Sequence, residues 1–189
     1  MLIIVSGPSG SGKNTVVRRI FQPEQQIRSL STRPPRDSID QLEYRFITDA
    51  EFLQLQQSDK ILESVQHGKY WYGTDKQLIT DAVANTKELK VAILDINGLL
   101  ILNKLFVPIL NIIIMPPSWR TLHNRIMKRG RADFNEANQR VRNSRKLYKK
   151  SKLLKKLGKN TFLVANFDLE NCLQKVHSII NTYLSEIKK

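Results

Sequence analysis

The chain has 189 residues, a formal net charge of +14 and a single cysteine. This length suits one domain that buries a sufficient core without metal or disulfide support. The lone Cys172 excludes an internal disulfide framework and fits a reducing compartment. No apolar stretch approaches the ~20 residues that span a membrane, and no signal peptide precedes the first strand. We therefore expect a cytoplasmic protein with anionic partners.

A glycine-rich loop follows the first apolar segment of the chain. Leu2 to Val5 predicts a buried strand, and a helix is predicted from Lys13 to about Gln22, stopped near Pro23. Glycines let the loop curl so that backbone N–H groups converge on a phosphate, and the following helix adds the positive end of its dipole. The pattern predicts nucleotide binding. The predicted ATP-binding residues of the loop are Gly7, Pro8, Ser9, Gly10, Ser11, Gly12, Lys13, Asn14 and Thr15.

One position departs from the commonest form of this loop. The residue after the lysine is usually Ser or Thr, whereas here it is Asn14, and the hydroxyl comes one place later. We interpret this as a variant of the loop in which Thr15 lies near Mg²⁺.

The next part of the chain contains short strands around a polar loop. Thr32 to Asp40 is polar and has two prolines, which predicts an extended loop. Capping-box patterns at Thr48–Glu51 and Thr74–Gln77 each predict the start of a helix, the second running to about Thr86. The predicted strands are Ile27 to Ser31, Glu43 to Ile47, Ile61 to Gln66 and Tyr70 to Gly73.

The remainder alternates apolar strands with helices. Helices are predicted from Ser118 to Arg129 and after Asp168, and residues 133–158 are predicted to form one long helix or a helical hairpin. Strands are predicted at Val91 to Ile96, Ile109 to Met115 and Thr161 to Ala165. The alternation predicts an α/β fold whose parallel sheet contains the strands near residues 2, 27, 91, 110 and 161.

Two groups of polar residues point to a second ligand. Arg33 and Arg36 lie three apart on the proline-stiffened loop, a spacing that suits two guanidinium groups gripping one dianionic phosphate. Glu63 lies in an otherwise apolar strand, followed by Tyr72, Gly73 and Thr74. A buried carboxylate needs a partner, and a purine with two N–H donors would supply one. The alternative is an outward-facing strand residue.

The motifs together resemble those of the guanylate kinases over essentially the whole chain. They are the phosphate loop, Ser29 to Arg36, Glu63 to Thr74, Leu94-Asp95-Ile96, Pro116-Pro117-Ser118 and Arg129-Gly130. The resemblance implies an α/β fold with a phosphate-loop parallel sheet core flanked by helices. The core would be 1–31, 76–128 and 159–189, with a nucleoside-monophosphate-binding insert at 32–75 and a helical lid at 129–158.

The resemblance also implies a reaction, the Mg²⁺-assisted phosphorylation of GMP by ATP, and a role for each matching residue. Lys13, Arg33, Arg125, Arg129 and Arg140 would be catalytic, and Asn166 would lie near the adenine. Thr15 and Asp95 would hold Mg²⁺ through water. GMP would be bound by Ser29, Arg33, Arg36, Tyr44, Glu63, Tyr72, Thr74 and Asn97.

Three departures from the family pattern bear on the acceptor and the lid. The Gly-Glu that usually follows the second arginine is missing, and either Asp37 or Asp40 could replace it. The second Asp of the usual Leu-Asp-Ile-Asp is Asn97, which bears on base preference. Residues 140–159 carry ten basic side chains and no acid, where the family has an acidic lid helix.

Alternative functions remain open at this point. One is a kinase of another phosphorylated small molecule, such as a ribose bisphosphate precursor, on the same fold. Another is a non-catalytic guanylate-kinase-like module that binds phosphorylated peptides, although such modules usually lose the loop lysine. Nucleic acid is not the expected partner of the basic run, since no reading motif or aromatic platform accompanies it. A monomer or a homodimer is expected.

Overall fold

The computed structural model describes residues 1–104, 109–128, 133–148, 158 and 160–187. The strands are β1 (Leu2–Ser6), β2 (Gln26–Ile27), β3 (Ser29–Ser31), β4 (Tyr44–Phe46), β5 (Ile61–His67), β6 (Tyr70–Asp75), β7 (Lys90–Ile93), β8 (Leu110–Met115) and β9 (Thr161–Ala165). The helices are α1 (Lys13–Ile20), α2 (Asp40–Glu43), α3 (Asp49–Gln57), α4 (Lys76–Ala84), α5 (Ile96–Lys104), α6 (Trp119–Lys128), α7 (Phe134–Tyr148) and α8 (Leu169–Ile187).

The five predicted core strands form one sheet, in the order β2-β7-β1-β8-β9. The pairs β2/β7 and β8/β9 are parallel. All five residues of β1 are buried, as are the first five of β8. Continuous apolar strands of this kind are typical of parallel sheets covered on both faces. The α/β fold with a parallel sheet core is confirmed.

A second sheet has the strand order β4-β3-β6-β5. Strand β3 pairs in parallel with β4 and antiparallel with β6, and β5 pairs antiparallel with β6. The single strand predicted from Ile27 to Ser31 is therefore wrong, because its two ends belong to different sheets. The strand is interrupted at the exposed Arg28. The register sets Ser29 opposite Tyr44 and Glu63 opposite Thr74.

The chain divides into two compact units. The first unit is Met1–Ile4 with Phe21–Ile109, and the second is Val5–Ile20 with Leu110–Lys189. The four-stranded sheet and helices α2 to α5 belong to the first unit. The glycine-rich loop, α1 and helices α6 to α8 belong to the second. The boundaries given above for core, insert and lid remain predictions.

Helix starts follow local side-chain chemistry, with two corrections to the sequence predictions. The capping box at Thr48 and Glu51 is confirmed. Helix α4 is capped by Asp75 and not by Thr74, because the Asp75 carboxylate accepts the N–H groups of Gln77 and Leu78. Strand β7 ends at Ile93 and not at Ile96, which instead begins α5.

Helices α6 and α7 pack together in the second unit. Leu122, Ile126 and Ala137 form their buried contact, flanked by Trp119, Met127 and Val141. The Ser118 hydroxyl accepts the Thr121 N–H at 3.0 Å, which confirms the predicted helix start. The predicted helix end at Gly130 and most of the predicted helix beyond Tyr148 lie outside the described residues. Within the described ranges, every helix is too short or too polar to cross a membrane.

Candidate active site

The glycine-rich loop joins β1 to α1 and has the backbone that phosphate binding requires. The backbone φ angles of Gly7, Gly10 and Gly12 are 144°, 92° and 104°. Two hydrogen bonds shape the loop: the Ser11 N–H donates to the Pro8 carbonyl, and the Val16 N–H donates to the Gly12 carbonyl, both at 3.0 Å. Convergent N–H groups of such a loop and the positive end of the helix that follows it are the features that bind a phosphate.

The Lys13 side chain lies back over this loop. Its Nζ donates to the carbonyl oxygens of Gly7, at 2.8 Å, and Pro8, at 3.1 Å. The cation is therefore held at the place where the loop amides would meet a phosphate. The Ser11 hydroxyl is buried and has no hydrogen-bond partner among the described residues, which leaves it available to the same ligand.

Two residues distant in sequence donate hydrogen bonds to the Ser11 carbonyl. The Asn166 side-chain amide donates to it at 2.8 Å, and Arg125 Nη1 donates to it at 3.4 Å. Arg125 Nη2 also donates to the Asn166 backbone carbonyl at 3.2 Å. The structure thus brings together three parts of the predicted donor site. The loop was predicted to bind phosphate, Arg125 to reach the phosphoryl group being transferred, and Asn166 to lie near the adenine.

The remaining residues predicted on the donor side are Arg140, Arg129 and Thr15. Arg140 forms an ion pair on its own helix, with Nη2 2.5 Å from Glu136 Oε1. Arg129 lies outside the described residues. Thr15 lies in the first turn of α1 and is partly exposed.

An ion cluster around the buried Asp40 joins the two arginines of the predicted acceptor site in the first unit. Arg33 donates to both oxygens of Asp40, at 2.6 and 2.9 Å, and Arg36 does the same through Nε and Nη2, at 2.7 and 2.5 Å. The Arg36 backbone N–H adds a fifth bond to this carboxylate. Burial alone would raise the pKa of Asp40, but the hydrogen bonds from Arg36 and Arg33 outweigh it and hold that pKa well below its usual range.

The aromatic residues of the predicted phosphate site lie beside this cluster. The Arg33 guanidinium is 4.7 Å from the centre of the Tyr44 ring, and the ring centres of Tyr44 and Tyr72 are 6.1 Å apart. Ser29 pairs with Tyr44 in the sheet register. Arg33, Arg36, Tyr44 and Tyr72 are thus brought together, as expected of a phosphate site.

Sequence reasoning left open whether Asp37 or Asp40 stands in for the missing Gly-Glu. In the structure Asp40 contacts both arginines. Asp37 instead accepts the Asp40 N–H through its Oδ1 at 2.8 Å. Arg36 lies outside α2, in the irregular segment before it, so no helical spacing in the sequence identified Asp40 as the partner.

We expect Asp40→Asn to destabilise the protein by about 3 kcal/mol at pH 7, because two guanidinium groups lose their charged partner. The Arg33 side chain is only 7% exposed and cannot recover that interaction from water. A depressed carboxyl pKa stabilises the fold above the unfolded pKa, near 4, and this contribution is lost as the pH falls towards the folded pKa. Urea unfolding of both proteins at pH 7 and pH 3 should therefore show the difference shrinking in acid.

Asp59→Asn is the control for this experiment. Asp59 is exposed and pairs with Lys76 on the surface, so its loss should change stability by less than about 1 kcal/mol. An Asp40→Asn protein as stable as the parent at pH 7 would show that the ion cluster adds nothing to the fold.

Glu63 and Thr74 form the second part of the predicted acceptor site. The Thr74 hydroxyl donates to Glu63 Oε1 at 2.8 Å across strands β5 and β6. Burial, together with the negative charge of Asp95, raises the pKa of Glu63 to about 7, against the opposing effect of the Thr74 hydrogen bond. A Cβ atom at Gly98 would lie 2.6 Å from Glu63 Cγ, so α5 approaches this side chain as closely as glycine allows. The alternative prediction, that Glu63 is simply an outward-facing strand residue, is not supported.

Asp95 and Asn97 lie at the start of α5. Asp95 Oδ1 accepts the N–H groups of Asn97 and Gly98, each at 2.8 Å, so this carboxylate acts as the helix cap. The Asn97 side chain is exposed and its amide lies 3.4 Å from Asp95 Oδ2. Asp95 was predicted to lie by the metal and Asn97 by the base. Both assignments remain predictions.

The strand, the glycine-rich loop and the helix that starts at Lys13 define a P-loop protein with an α/β fold. Comparison with known proteins agrees with this class. The family model described as Guanylate kinase matches residues 1–183. A guanylate kinase of Caldanaerobacter subterraneus subsp. tengcongensis is 31% identical over 184 residues, covering 95% of this chain and 86% of that protein. A guanylate kinase of Tropheryma whipplei is 30% identical over 175 residues, covering 90% and 87%.

The chain belongs to the guanylate kinase family. A solved structure supports the fold independently: the crystal structure of guanylate kinase from Anaplasma phagocytophilum matches with a TM-score of 0.61 over 96% of this chain and 85% of that one. Sequence identity in this comparison is 20%, so it speaks for the fold alone.

Proposed function

We propose that this protein transfers the γ-phosphoryl group of ATP to the phosphate of GMP, yielding ADP and GDP. The observation that carries the proposal is that one chain combines a glycine-rich phosphate loop with Lys13 and most of the acceptor residues of the family pattern. That set combines paired arginines, two tyrosines and the Glu63–Thr74 pair.

On the donor side, the loop amides and Lys13 would hold the β- and γ-phosphates of ATP. Mg²⁺ would be held mainly by these phosphates and water, as is usual for this ion at nucleotide sites, and the family pattern assigns the Thr15 hydroxyl to it. Bound Mg²⁺ would neutralise phosphate charge. Asp95 fits this role less well, since its Oδ1 already accepts two backbone N–H groups.

The described residues contain no group of three or more His, Cys, Asp or Glu side chains that could bind a metal by themselves. A metal held mainly by nucleotide phosphates and water needs no such group.

The chemistry would need no general base. The attacking oxygen belongs to the GMP phosphate and is already anionic at neutral pH, so the protein has to align the groups and neutralise spreading negative charge. Lys13 and Arg125 would serve this purpose, and Arg129 and Arg140 are assigned to it by their place in the family pattern. Arg140 would first have to leave Glu136.

On the acceptor side, Arg33, Arg36, Tyr44 and Tyr72 would bind the GMP phosphate. Ionised Glu63 would accept hydrogen bonds from two N–H donors of guanine, an arrangement that adenine cannot offer. The Thr74 hydroxyl would keep the carboxylate in place, and Ser29 and Asn97 would complete the pocket. No contact in the described residues favours a ribose phosphate over a base-bearing acceptor.

An acceptor panel tests this proposal. Purified protein would be given ATP and Mg²⁺ with GMP, dGMP, AMP, ribose 5-phosphate or no acceptor, and ADP formation would be measured. We expect GMP to be the preferred acceptor and AMP to be used at least a hundredfold less well by kcat/KM. Equal use of GMP and AMP would refute the recognition of guanine by Glu63. Rapid turnover of a ribose phosphate would refute the proposal that the acceptor is a nucleotide.

A further inference from the structure

The donor loop is held in shape by groups outside it, and these contacts converge on the Ser11–Gly12 peptide. Asn166 is 6% exposed, follows β9, and donates its own N–H to the Met115 carbonyl at the end of β8. Its position is therefore determined by the sheet. From there its side-chain amide reaches the Ser11 carbonyl at 2.8 Å.

The same amide explains why residue 12 of the loop is a glycine. A Cβ atom at Gly12 would collide with Asn166 Nδ2, and the Gly12 φ of 104° disfavours any side chain there. The loop backbone thus lies directly against Asn166. A peptide whose carbonyl points towards Asn166 has its following N–H directed the other way, towards the side where a phosphate would bind.

Helix α6 completes this arrangement. Arg125 links the Ser11 carbonyl to the Asn166 carbonyl through its two terminal nitrogens. On the same helix, Leu122 and Ile126 pack where a Cβ of Gly10 would be, at 3.1 and 3.3 Å. Two loop peptides are therefore supported by α6, and the helix that supports them is itself packed on α7.

From these contacts we infer that Asn166, assisted by Arg125, is a positioning residue: it holds the Ser11 carbonyl so that the loop amides face the donor phosphates before the nucleotide arrives. The inference rests on the proposed donor role of the loop. It assigns the Asn166 amide a task on the protein's own backbone, in addition to the adenine neighbourhood that its sequence position predicts. A preorganised loop binds its ligand more tightly because less ordering remains to be done.

The test compares ligands with and without a base. ATP and inorganic triphosphate would be titrated, both with Mg²⁺, into the parent and into Asn166→Ala. A positioning role predicts that the variant binds both ligands about tenfold more weakly, because triphosphate needs the same loop. Loss of ATP affinity with unchanged triphosphate affinity would overturn the inference in favour of a base contact. Unchanged affinity for both would overturn it as well.

Three further measurements keep the test decisive. Asn171→Ala removes an exposed asparagine whose amide bonds Asp168, and it should bind both ligands like the parent. GMP affinity should stay within about twofold of the parent in Asn166→Ala, which excludes general misfolding. Arg125→Lys keeps the positive charge and one donor nitrogen in place of the two that Arg125 uses, and it should lose less triphosphate affinity than Arg125→Ala. A parent protein that binds neither ATP nor triphosphate would instead refute the proposed donor site.

Discussion

Lys13→Ala is expected to lower kcat by two to three orders of magnitude. The side chain is the cation held over the phosphate loop, 2.8 Å from the Gly7 carbonyl, and a phosphate entering the loop would take over its hydrogen bonds. Loss of one preorganised donor to the charge that develops in the transition state typically costs about 2.7–4 kcal/mol, or 10²–10³ in rate. Steady-state rates with saturating ATP, Mg²⁺ and GMP would measure the effect.

A control variant and a melting temperature separate an effect on catalysis from an effect on folding. Lys104→Ala removes an exposed lysine at the end of α5 and should leave kcat within about twofold. The melting temperature of Lys13→Ala should remain near that of the parent, because the lost hydrogen bonds are partly exposed to solvent. A Lys13→Ala enzyme with near-parental kcat would remove the loop from the mechanism.

Glu63→Gln is expected to raise the KM for GMP roughly ten- to 150-fold, while the KM for ATP changes little. The carboxylate can accept from two donors, whereas the amide turns one of its own donors towards the base. A hydrogen bond to a charged group contributes about 1.5–3 kcal/mol, which gives this range. Glu88→Gln, an exposed side chain paired with Lys90, is the charge-matched control.

The same residue predicts a pH dependence. Because the pKa of Glu63 is raised to about 7 and guanine needs the ionised form, GMP affinity should fall about tenfold between pH 8 and pH 6. Glu63→Gln should lose this slope and keep only the titration of the GMP phosphate itself, near pH 6. Titration calorimetry at several pH values would measure both. An identical slope in the two proteins would mean that Glu63 does not contact the base.

Stability gives an independent check on Glu63. A carboxyl whose folded pKa is raised contributes stability below its unfolded pKa, near 4.3, and that contribution is lost as the pH rises through 7. Unfolding of the nucleotide-free parent should therefore become easier over this interval than unfolding of Glu63→Gln. A desolvated carboxylate that lowers stability is typical of a functional site, which agrees with the role proposed for Glu63 in GMP binding.

Features that depend on neighbouring residues were predictable from the amino-acid order. Apolar runs at Leu2, Val91 and Leu110 mark strands buried on both faces, and the spacing of Gly7, Gly12 and Lys13 marks the phosphate loop. Local capping chemistry also predicted the start of α3, because the Thr48–Glu51 contact spans only three residues. Where two local roles compete, the prediction failed: Thr74 suits a cap, yet its hydroxyl faces Glu63 and Asp75 caps α4.

By itself, the amino-acid sequence determined the main strands of the parallel sheet and the phosphate loop, because these follow from short-range periodicity and motif spacing. The assignment of residues to a donor or an acceptor set follows from the resemblance to guanylate kinases and stays a prediction. Only the tertiary structure decided what those residues contact. It chose Asp40 over Asp37 as the partner of Arg33 and Arg36, and it brought Asn166 to a carbonyl 155 residues away. It also raised the pKa of Glu63. The reason is that burial, long-range hydrogen bonds and like-charge proximity arise only when distant segments pack together.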